Sequence, residues 1–456
     1  MSDHSADLVI LGGGSGGYAT ALRAAELGSS VVLIEKDKLG GTCLHRGCIP
    51  TKALLHSAEV ADNVRGSDHV GVRAAFEGID VAAVHAYREG IVAKKHKGLE
   101  GLIAARKITV VHGEGRLDAD GGVVVGDDRY RGTDVVLATG SYSRSLPGLE
   151  LSDRIITSEG ALALPTVPRH AVILGGGVIG VEFASIWRSF GAEVTIIEAL
   201  DRLLPAEDAA MSKALERAFR KRGIASRTGV RFSDAESRAD GVRVSLEDGT
   251  VLDADVLLVA VGRGPATADL GFEDAGVELD RGFVRVDERL RTTRAHVWAV
   301  GDIVPGLQLA HRSFQQGIFV AEEIAGLRPT VIPDSLVPRV TYSSPEVASV
   351  GLTEEQARAA HGDAVVVREY NLAGNGKSEI LGTAGLVKVV RRLDGPILGV
   401  HLAGDRVGEL ITEGQLAVGW EAHPEDIAPF IHAHPTQSEA LGEAFLALAG
   451  KPLHAL

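Results

Sequence analysis

The sequence predicts an α/β protein with two Rossmann-like domains and a third, α+β region at its C-terminal end. A buried-strand pattern, a glycine-rich turn, a helical pattern and a second strand pattern occur in this order twice along the chain. The last part, residues 339–456, alternates strand and helix patterns and has no such turn. Glycine is abundant, with 56 residues, and a chain of 456 residues is long enough for about three domains.

The first copy lies at the N-terminal end of the chain. Asp7–Leu11 is a short apolar run typical of a buried parallel strand, and Ser30–Glu35 is a second strand that follows an alanine-rich helical pattern. The turn between them has the G-x-G-x-x-G spacing, with glycines at Gly12, Gly14 and Gly17. The first glycine allows a tight turn, the second lets a pyrophosphate approach the backbone, and the third lets the helix pack on the strand. The helix N-terminus then favours phosphate, and Glu35 is predicted to bind the adenosine ribose.

The second copy begins at the strand Ala171–Leu174 and ends at the strand Glu193–Glu198. Its turn repeats the spacing, with glycines at Gly175, Gly177 and Gly180. In both copies the strand-end glutamate follows the first glycine by 23 residues, so the sequence predicts two dinucleotide sites. The alternative is that both turns only pack a helix on a strand. Glu198 would repel a 2′-phosphate, which favours NAD over NADP at the second site, although Arg202 lies four residues further on.

The only two cysteines of the chain, Cys43 and Cys48, follow the second strand of the first copy. Residues five positions apart in a regular helix are too distant for a disulfide, so a bond between them requires an irregular backbone, which the neighbouring glycines permit. A small ring closed by such a bond is reducible and suits a catalytic dithiol. Two alternatives stay open at this point. The pair can be inert buried thiols or half of a metal site, although the further ligands of a zinc site are missing.

Composition excludes several classes of partner. The chain carries 47 basic and 61 acidic residues, a net charge of −14, which argues against nucleic acid or an anionic membrane. The N-terminal residues lack the basic and apolar regions of a secretory signal, and no apolar run is long enough to span a bilayer. We therefore expect a cytoplasmic protein without a metal site, in which a disulfide cycles rather than serving as a structural cross-link.

The remaining patterns are less distinctive. Residues 80–105 predict one long helix, residues 134–140 and 297–302 predict buried strands, and residues 332–338 predict a linker. Near the C-terminal end, a proline turn separates His434 from Glu439, so the two side chains can face one another as a base and its orienting acid. The alternative is a surface or capping histidine.

Several of these features occur together in one known family, the pyridine nucleotide–disulfide oxidoreductases, which the sequence resembles over essentially its whole length. The features that carry the resemblance are the Gly-Gly-Thr-Cys-x4-Cys-Ile-Pro-Thr-Lys stretch, the two glycine turns, Ala138–Gly140, Gly301–Asp302, and His434–Thr436 with Glu439. Glu198, Leu309–His311 and Tyr342–Glu346 resemble the members that oxidise a dithiol with NAD.

The resemblance implies FAD in the first dinucleotide-binding domain, NAD in the second, and a homodimer built through a C-terminal dimerisation domain. The implied boundaries are residues 1–146 and 269–337 for the FAD domain, 147–268 for the NAD domain and 338–456 for the dimerisation domain. Beyond the glycines and glutamates of the two copies, the positions that match cofactor contacts of the family are Thr42, Lys52, Gly115, Thr139, Gly140, Ser141, Val230, Gly262, Asp302, Ala310 and His311.

The resemblance also implies a reaction path. His434, oriented by Glu439, removes a proton from the dithiol substrate, and both residues act in the active site of the other subunit. The substrate thiolate attacks Cys43, Cys48 lies nearer the flavin, and electrons pass through FAD to NAD⁺. The implied partners are the lipoyl domains of 2-oxo acid dehydrogenase complexes or of the glycine cleavage system.

Lys52 resembles the family lysine that pairs with a glutamate near the flavin, and Glu182 matches that partner. Two positions depart from the family pattern beside the cofactors. Ala266 stands where Asn is frequent, and Ser313–Gln316 replaces a more acidic stretch. We expect these departures to change cofactor affinity rather than the chemistry.

Other activities within the enzyme class are compatible with parts of the pattern. The main alternative is an NAD(P)H-dependent reductase of a small disulfide such as glutathione or mycothiol, which Glu198 opposes because such enzymes usually use NADPH. A mercuric reductase would need a further cysteine pair, and a flavin transhydrogenase would not need these cysteines. From a different class, the chain could be a catalytically silent nucleotide-binding subunit of a larger assembly.

Overall fold

A computed structural model describes residues 2–454 of the protein. The chain divides into two compact units, each built from three segments. The first unit contains the chain up to Leu54, Ala82–Arg144 and Gly262–Ile332. The second unit contains Leu55–Val81, Ser145–Val261 and the chain from Pro333 onward. The four segments implied by the family resemblance stay a prediction.

The α-helices within residues 2–454 are, in chain order, α1 (Ser15–Glu26), α2 (Gly41–Arg46), α3 (Cys48–Arg65), α4 (Val81–Ala105), α5 (Ser158–Ala163), α6 (Val178–Phe190), α7 (Ala209–Arg222), α8 (Ala310–Ile324), α9 (Glu354–His361), α10 (Gly376–Ile380), α11 (Val407–Gly419), α12 (Pro424–Ile427) and α13 (Glu439–Leu448). The predicted long helix over residues 80–105 is confirmed as α4.

The strands of the same part of the chain are β1 (Ser2–Leu11), β2 (Val31–Glu35), β3 (Thr109–His112), β4 (Gly115–Leu117), β5 (Val123–Val125), β6 (Asp128–Leu137), β7 (Ser141–Ser143), β8 (Ile155–Ile156), β9 (His170–Leu174), β10 (Glu193–Glu198), β11 (Ile224–Thr228), β12 (Phe232–Arg238), β13 (Gly241–Leu246), β14 (Val251–Ala254), β15 (Val256–Val259), β16 (Arg263–Pro265), β17 (Leu279–Asp280), β18 (Phe283–Val284), β19 (Val297–Ala299), β20 (Arg339–Thr341), β21 (Glu346–Gly351), β22 (Val365–Asn371), β23 (Leu386–Arg392) and β24 (Ile397–Gly404).

The first unit is organised around a seven-stranded sheet of order β3-β2-β1-β6-β5-β4, with β19 paired to β6. The strands β3, β2, β1, β6 and β19 are parallel neighbours, and β4 and β5 are antiparallel. The strand order reverses beside β1, which is where parallel sheets of this kind bind ligands at their carboxyl ends. The glycine turn after β1 lies at this point.

Both faces of this sheet are buried, which explains the continuous apolar runs in the sequence. Leu8, Ile10 and Leu33 pack in one cluster, whereas Val9, Leu11 and Ile34 pack in another. Strand β1 is longer than the predicted run because its polar first residues also pair with β6.

The second unit contains the other glycine turn, at the end of β9. Its parallel sheet has the order β11-β10-β9-β15-β8, and a separate antiparallel sheet contains β12, β13 and β14. The strand Glu193–Glu198 is confirmed with its predicted bounds as β10, and helix α6 begins at Val178, within the glycine turn.

The C-terminal part of the second unit is a five-stranded antiparallel sheet of order β20-β21-β24-β23-β22. Helices α11 and α13 bury apolar residues against it, among them Ile411 and Phe445. The predicted linker at residues 332–338 contains a short 3₁₀ turn, Asp334–Leu336. The predicted α/β fold class, with its α+β C-terminal part, is confirmed. Between residues 2 and 454, no helix is long and apolar enough to cross a membrane.

Candidate active site

The two cysteines lie on either side of a break between two helices. Cys43 is in α2, and Cys48 is the first residue of α3. Gly47 separates the helices with φ −143° and ψ −110°, so the irregular backbone that a Cys43–Cys48 bond requires is present. Both side chains are half-buried thiols, and Cys43 forms a hydrogen bond with the Cys48 thiol.

The surroundings of the dithiol control its protonation. The hydrogen bond with Cys48, followed by burial and the charge of Cys48, raises the pKa of Cys43, whereas the positive charge of Lys52 acts to lower it. Lys52 follows Cys48 by four residues in α3, so its charge acts on the dithiol from one helical turn away. Burial, and then interaction with Cys43 and Cys48, raises the pKa of Tyr18 in α1 to about 12, which keeps this phenol protonated beside the thiols. Sequence reasoning missed Tyr18.

The dithiol segment is attached directly to the first glycine turn. The Gly40 amide donates a 2.8 Å hydrogen bond to the carbonyl oxygen of Gly13. A Cβ on Gly41 would lie 2.7 Å from the Cα of Gly14, so the two backbones meet where no side chain fits. Gly40 and Gly41 have φ of +102° and +57°, a region that favours glycine. The redox pair and the first predicted dinucleotide site are therefore parts of one site.

The two glycine turns reproduce each other closely. A Cβ on Gly12 or on Gly175 would lie 2.3 Å from the carbonyl oxygen of the residue that follows a neighbouring strand, Ala138 or Ala260, and both glycines have positive φ. A Cβ on Gly17 or on Gly180 would lie 1.8 or 2.0 Å from the carbonyl oxygen of the first glycine of its own turn. The protein's own packing therefore requires glycine at these four positions.

The middle glycine of each turn is different. A Cβ on Gly177 would meet no atom within 4 Å, and one on Gly14 would meet only the Cα of Gly41, at 3.9 Å. Packing within the described chain does not require glycine there, but a ligand that approaches the backbone does. No side chain of the described residues caps α1 or α6, so the helix N-termini keep amide groups for phosphate. Both sites fit a dinucleotide.

The strand-end glutamates hold the glycine turns in place. Glu35 accepts hydrogen bonds from the Gly13 amide at 2.7 Å and the Asp37 amide at 2.8 Å. Glu198 accepts from the Gly176 amide at 2.7 Å and the Leu200 amide at 2.8 Å. Sequence reasoning assigned both residues only to the ribose. Each carboxylate oxygen has a second lone pair, so the structural role leaves room for the predicted contact.

A polar cluster in the first unit contains several of the predicted FAD positions. The Ser141 hydroxyl donates to Asp302 at 2.5 Å, and the Arg263 guanidinium donates to the Ser141 hydroxyl at 2.8 Å. The Thr139 hydroxyl donates to the carbonyl oxygen of Ala266 at 2.6 Å, and the Ala266 amide donates to Gly140. Only backbone atoms of Ala266 are used, so the absence of an Asn side chain leaves these contacts intact.

The second departure from the family also has a structural role. The Gln316 side chain accepts a 2.8 Å hydrogen bond from the Gly301 amide and so holds the 3₁₀ turn Gly301–Ile303, which presents Asp302. The sequence analysis named Gln316 only as part of a departure from the family and missed this contact, and it assigned no role to Arg263. A signal for Arg263 was its position directly after Gly262.

The other predicted positions occupy chain ends and turns around the two sites. Thr42 lies in α2 beside Cys43, Ala310 and His311 begin α8, and Val230 follows β11 and donates its amide to the carbonyl oxygen of Glu198. Gly262 has φ +103° and precedes β16. Gly115 is fixed by packing, since a Cβ there would lie 2.6 Å from Leu11. Their contacts with cofactor stay predictions.

The predicted base and its orienting acid lie in the second unit. His434 Nδ1 and Glu439 Oε1 are 2.9 Å apart, and the other Glu439 oxygen accepts from the Thr436 amide at 2.8 Å. Burial acts to raise the pKa of Glu439. These two hydrogen bonds and the charges of His434 and His432 outweigh burial, so the pKa of Glu439 is lowered. Glu439 therefore orients the ring so that Nε2 points away from it. His434 is 79% exposed in a single chain.

Glu182 lies in α6, is almost fully buried and accepts a 3.0 Å hydrogen bond from the Tyr342 amide. Its predicted pairing with Lys52 stays a prediction. Within residues 2–454, no group of three or more His, Cys, Asp or Glu side chains is placed to hold a metal ion.

Comparisons with known proteins identify the family. The family model described as pyridine nucleotide-disulphide oxidoreductase matches residues 6–317, and its dimerisation-domain model matches residues 337–445. The chain belongs to this family. The resemblance inferred from the sequence is confirmed, and this pyridine nucleotide–disulfide oxidoreductase is a flavin-dependent, NAD-linked enzyme that acts on sulfur groups and uses FAD and NAD.

Three known proteins are similar to this chain over nearly its whole length. The dihydrolipoyl dehydrogenase of Bacillus subtilis is 41% identical over 469 residues, which cover 98% of this chain and 99% of that protein. The crystal structure of LpdA from Mycobacterium tuberculosis matches with a TM-score of 0.89 at 27% identity and covers 98% of this chain and 100% of its own. The HOCl-induced flavoprotein disulfide reductase RclA from Escherichia coli matches with a TM-score of 0.86 at 30% identity, with coverage of 96% and 99%.

Proposed function

We propose that this oxidoreductase acts as a dihydrolipoyl dehydrogenase, which oxidises protein-bound dihydrolipoamide to lipoamide and reduces NAD⁺. The observation that carries the proposal is the attachment of the dithiol segment to the first glycine turn through Gly40 and Gly13. The 41% identity to the Bacillus subtilis dihydrolipoyl dehydrogenase supports this substrate.

The residues of the chain have separate tasks in this reaction. His434 Nε2 takes a proton from one substrate thiol, because only a thiolate attacks a disulfide, and Glu439 holds the ring for that transfer. The thiolate attacks the oxidised Cys43–Cys48 pair at Cys43 and breaks its S–S bond. The second substrate thiol then displaces Cys43, so that the substrate leaves as a cyclic disulfide and both cysteines are reduced.

The cofactor positions serve the onward transfer of the electron pair. FAD, when bound, supplies two-electron chemistry that links a dithiol to a nicotinamide. Gly12, Gly14 and Gly17 would hold its pyrophosphate, and Asp302 its polyol part. Gly177 and Glu198 would hold NAD in the second unit, where the carboxylate disfavours a 2′-phosphate.

We also propose that the protein works as a homodimer in which His434 serves the dithiol of the partner subunit. The dimerisation-domain match over residues 337–445 supports the dimer. The same region exposes apolar side chains: Ile431 and Phe430, which precede His434 by three and four residues, are 98% and 70% exposed, and Trp420 is 77% exposed. A second copy that covers this surface would bury these side chains. The lipoyl-domain partners and the cytoplasmic location are proposals of the same kind.

The first test is turnover of free dihydrolipoamide with NAD⁺ by the FAD-loaded protein. Cys43→Ser and Cys48→Ser should each abolish this activity, because a single thiol cannot form the cycling disulfide, while NADH still reduces the bound flavin. The flavin reduction, followed by its absorbance, is the internal control. Undiminished turnover of dihydrolipoamide in either variant would remove the dithiol from the reaction.

A second candidate is the reduction of a small disulfide, which the similarity to RclA favours. The buried carboxylate of Glu198, which is 9% exposed, opposes the NADPH that such reductases usually use. Comparing kcat/KM for dihydrolipoamide with NAD⁺ and for glutathione disulfide with NADPH separates the two activities.

A further inference from the structure

The segment that carries the proposed base contains a second histidine, which the reaction above does not use. This base segment, residues 428–438, connects α12 to α13 and contains both His432 and His434. His432 points into the protein, with its side chain 15% exposed, whereas the side chain of His434 is 79% exposed. The two rings therefore have different environments although only one residue separates them.

His432 is held by an ion pair to a neighbouring helix. Its Nε2 lies 2.8 Å from Oε1 of Glu413, which belongs to α11. This contact joins the base segment to a helix that packs against the antiparallel sheet. A hydrogen bond between charged groups is about twice as strong as one between neutral groups.

A second contact places the ring on α13, the helix that begins with Glu439. A Cβ on Gly442 would lie 2.6 Å from His432 Nδ1 and 2.9 Å from its Cε1. The imidazole therefore rests on the helix backbone, and any side chain at this helix position would displace it. Gly442 is fully helical and does not need glycine for its backbone conformation, so packing against His432 is the reason for glycine here.

The charges around His432 also reach the base pair. The hydrogen bond to Glu413 raises the pKa of His432, and burial opposes this rise. The charges of Glu413 and Glu439 and a backbone hydrogen bond at Phe430 also act to raise this pKa. The charge of His432 is one of the causes that lower the pKa of Glu439. The acid that orients His434 is shared electrostatically with His432.

We propose that His432 is a positioning residue for dihydrolipoamide oxidation: seated between Glu413 and Gly442, it fixes the base segment so that His434 meets the substrate thiol. The inference rests on the proposed function.

Four substitutions separate position from charge. His432→Gln and Glu413→Ala should each lower kcat for dihydrolipoamide about 10–10²-fold, the cost of a misplaced catalytic group. Glu413→Gln keeps an acceptor for His432 and should retain most of the activity. Gly442→Ala should lower kcat similarly by displacing the ring, although alanine favours helix formation.

The pH profile gives a readout that a purely structural role would not move. The charge of His432 helps to lower the pKa of Glu439, so its loss in His432→Gln should shift the acidic limb of the kcat/KM profile to higher pH. In Gly442→Ala, where His432 is kept, the limb should stay in place. Reduction of ferricyanide by NADH, which needs no base, should be unchanged in all four variants.

Two matched controls accompany these variants. His454→Gln removes another histidine paired with a glutamate of α13, since His454 Nδ1 lies 2.8 Å from Glu443 Oε1. Gly98→Ala places a methyl group on α4, where a Cβ meets no atom within 4 Å. Both should keep the parental kcat and pH profile.

The outcomes are distinct. If the unmodified enzyme oxidises dihydrolipoamide but His432→Gln and Gly442→Ala stay within twofold of its kcat, the positioning role is wrong and the proposed function stands. An unmodified, FAD-loaded enzyme without dihydrolipoamide turnover would overturn both proposals. Thermal unfolding of each variant shows that the compared proteins are folded.

Discussion

Glu198 shows how one side chain can serve structure and specificity together. Both of its carboxylate oxygens accept main-chain hydrogen bonds, from Gly176 and Leu200, and the side chain is buried at the end of β10. The charge that disfavours a 2′-phosphate is therefore held rigidly by the turn it stabilises. Glu35 repeats the arrangement in the first copy.

Glu198→Ala should relax the preference for NAD over NADP, because the repulsive charge is lost, and should lower the free energy of unfolding by on the order of 2 kcal/mol, since buried amides lose a charged acceptor. The ratio of kcat/KM for the two nucleotides and chemical denaturation measure these effects. Glu193→Ala, at the exposed start of the same strand, is the control. An unchanged nucleotide ratio would count against the ribose role.

At this scale the sequence identified the residue types but not all of their contacts. A glutamate at a strand end is visible in the sequence, and so is the pair Cys43 and Cys48. Contacts that depend on the path of a turn are not visible, because they arise from side chains and amides distant in the sequence. The Arg263–Ser141 hydrogen bond, which joins residues 122 positions apart, is of this kind.

At the scale of elements, the glycine turns combine residues needed for packing with residues that face a ligand site. The three glycines of the second turn have the same spacing as those of the first, yet the three positions need glycine for different reasons. Gly175 and Gly180 are required by close backbone contacts, whereas Gly177 faces open space. One turn therefore allows folding and ligand binding to be tested separately.

Gly177→Ala should leave the folding free energy nearly unchanged and raise KM for NAD⁺ at least about tenfold, because the methyl group enters the space of the pyrophosphate. Gly180→Ala should instead destabilise the unit, since its Cβ would lie 2.0 Å from the carbonyl oxygen of Gly175. Thermal unfolding and NAD⁺ titration of the two variants give the comparison. If Gly180→Ala raised KM as much as Gly177→Ala and lost no stability, the separate roles of the two glycines would be wrong.

The elements themselves were largely predictable. Buried parallel strands and the long helix α4 have strong periodic signals, and they appear where the sequence predicts them. The short strands, such as β7 and β16, were not predictable, because two or three residues carry no periodicity and pair only through tertiary contacts.

At the scale of the whole molecule, the proposed reaction is one that two chains share. His434 lies almost 400 residues from Cys43 in the sequence, and in a single chain it is exposed beside apolar side chains. Composition and motifs predicted both residues, but only the family resemblance implied that they meet across subunits. The spacing of residues along one chain does not show which of them contact a second chain.

Ile431→Asp should weaken the dimer, because a charge replaces a side chain that is 98% exposed in one chain and is proposed to be buried against a second copy. Dihydrolipoamide turnover should fall together with the dimer fraction, measured by sedimentation, while NADH–ferricyanide activity persists. Leu453→Asp, at an exposed apolar position near the C-terminal end, is the matched control. A fully active monomer would exclude a base supplied by the partner.

The likeness of the two copies extends beyond their glycines to the segment after the second strand. After the second strand, the Gly40 amide bonds to Gly13 in one copy, and the Leu204 amide bonds to Gly176 at 2.9 Å in the other. Leu39 and Leu203 cover the same turn position in each. In each copy the same main-chain junction therefore follows the second strand, and in the first copy the sulfur pair comes directly after it.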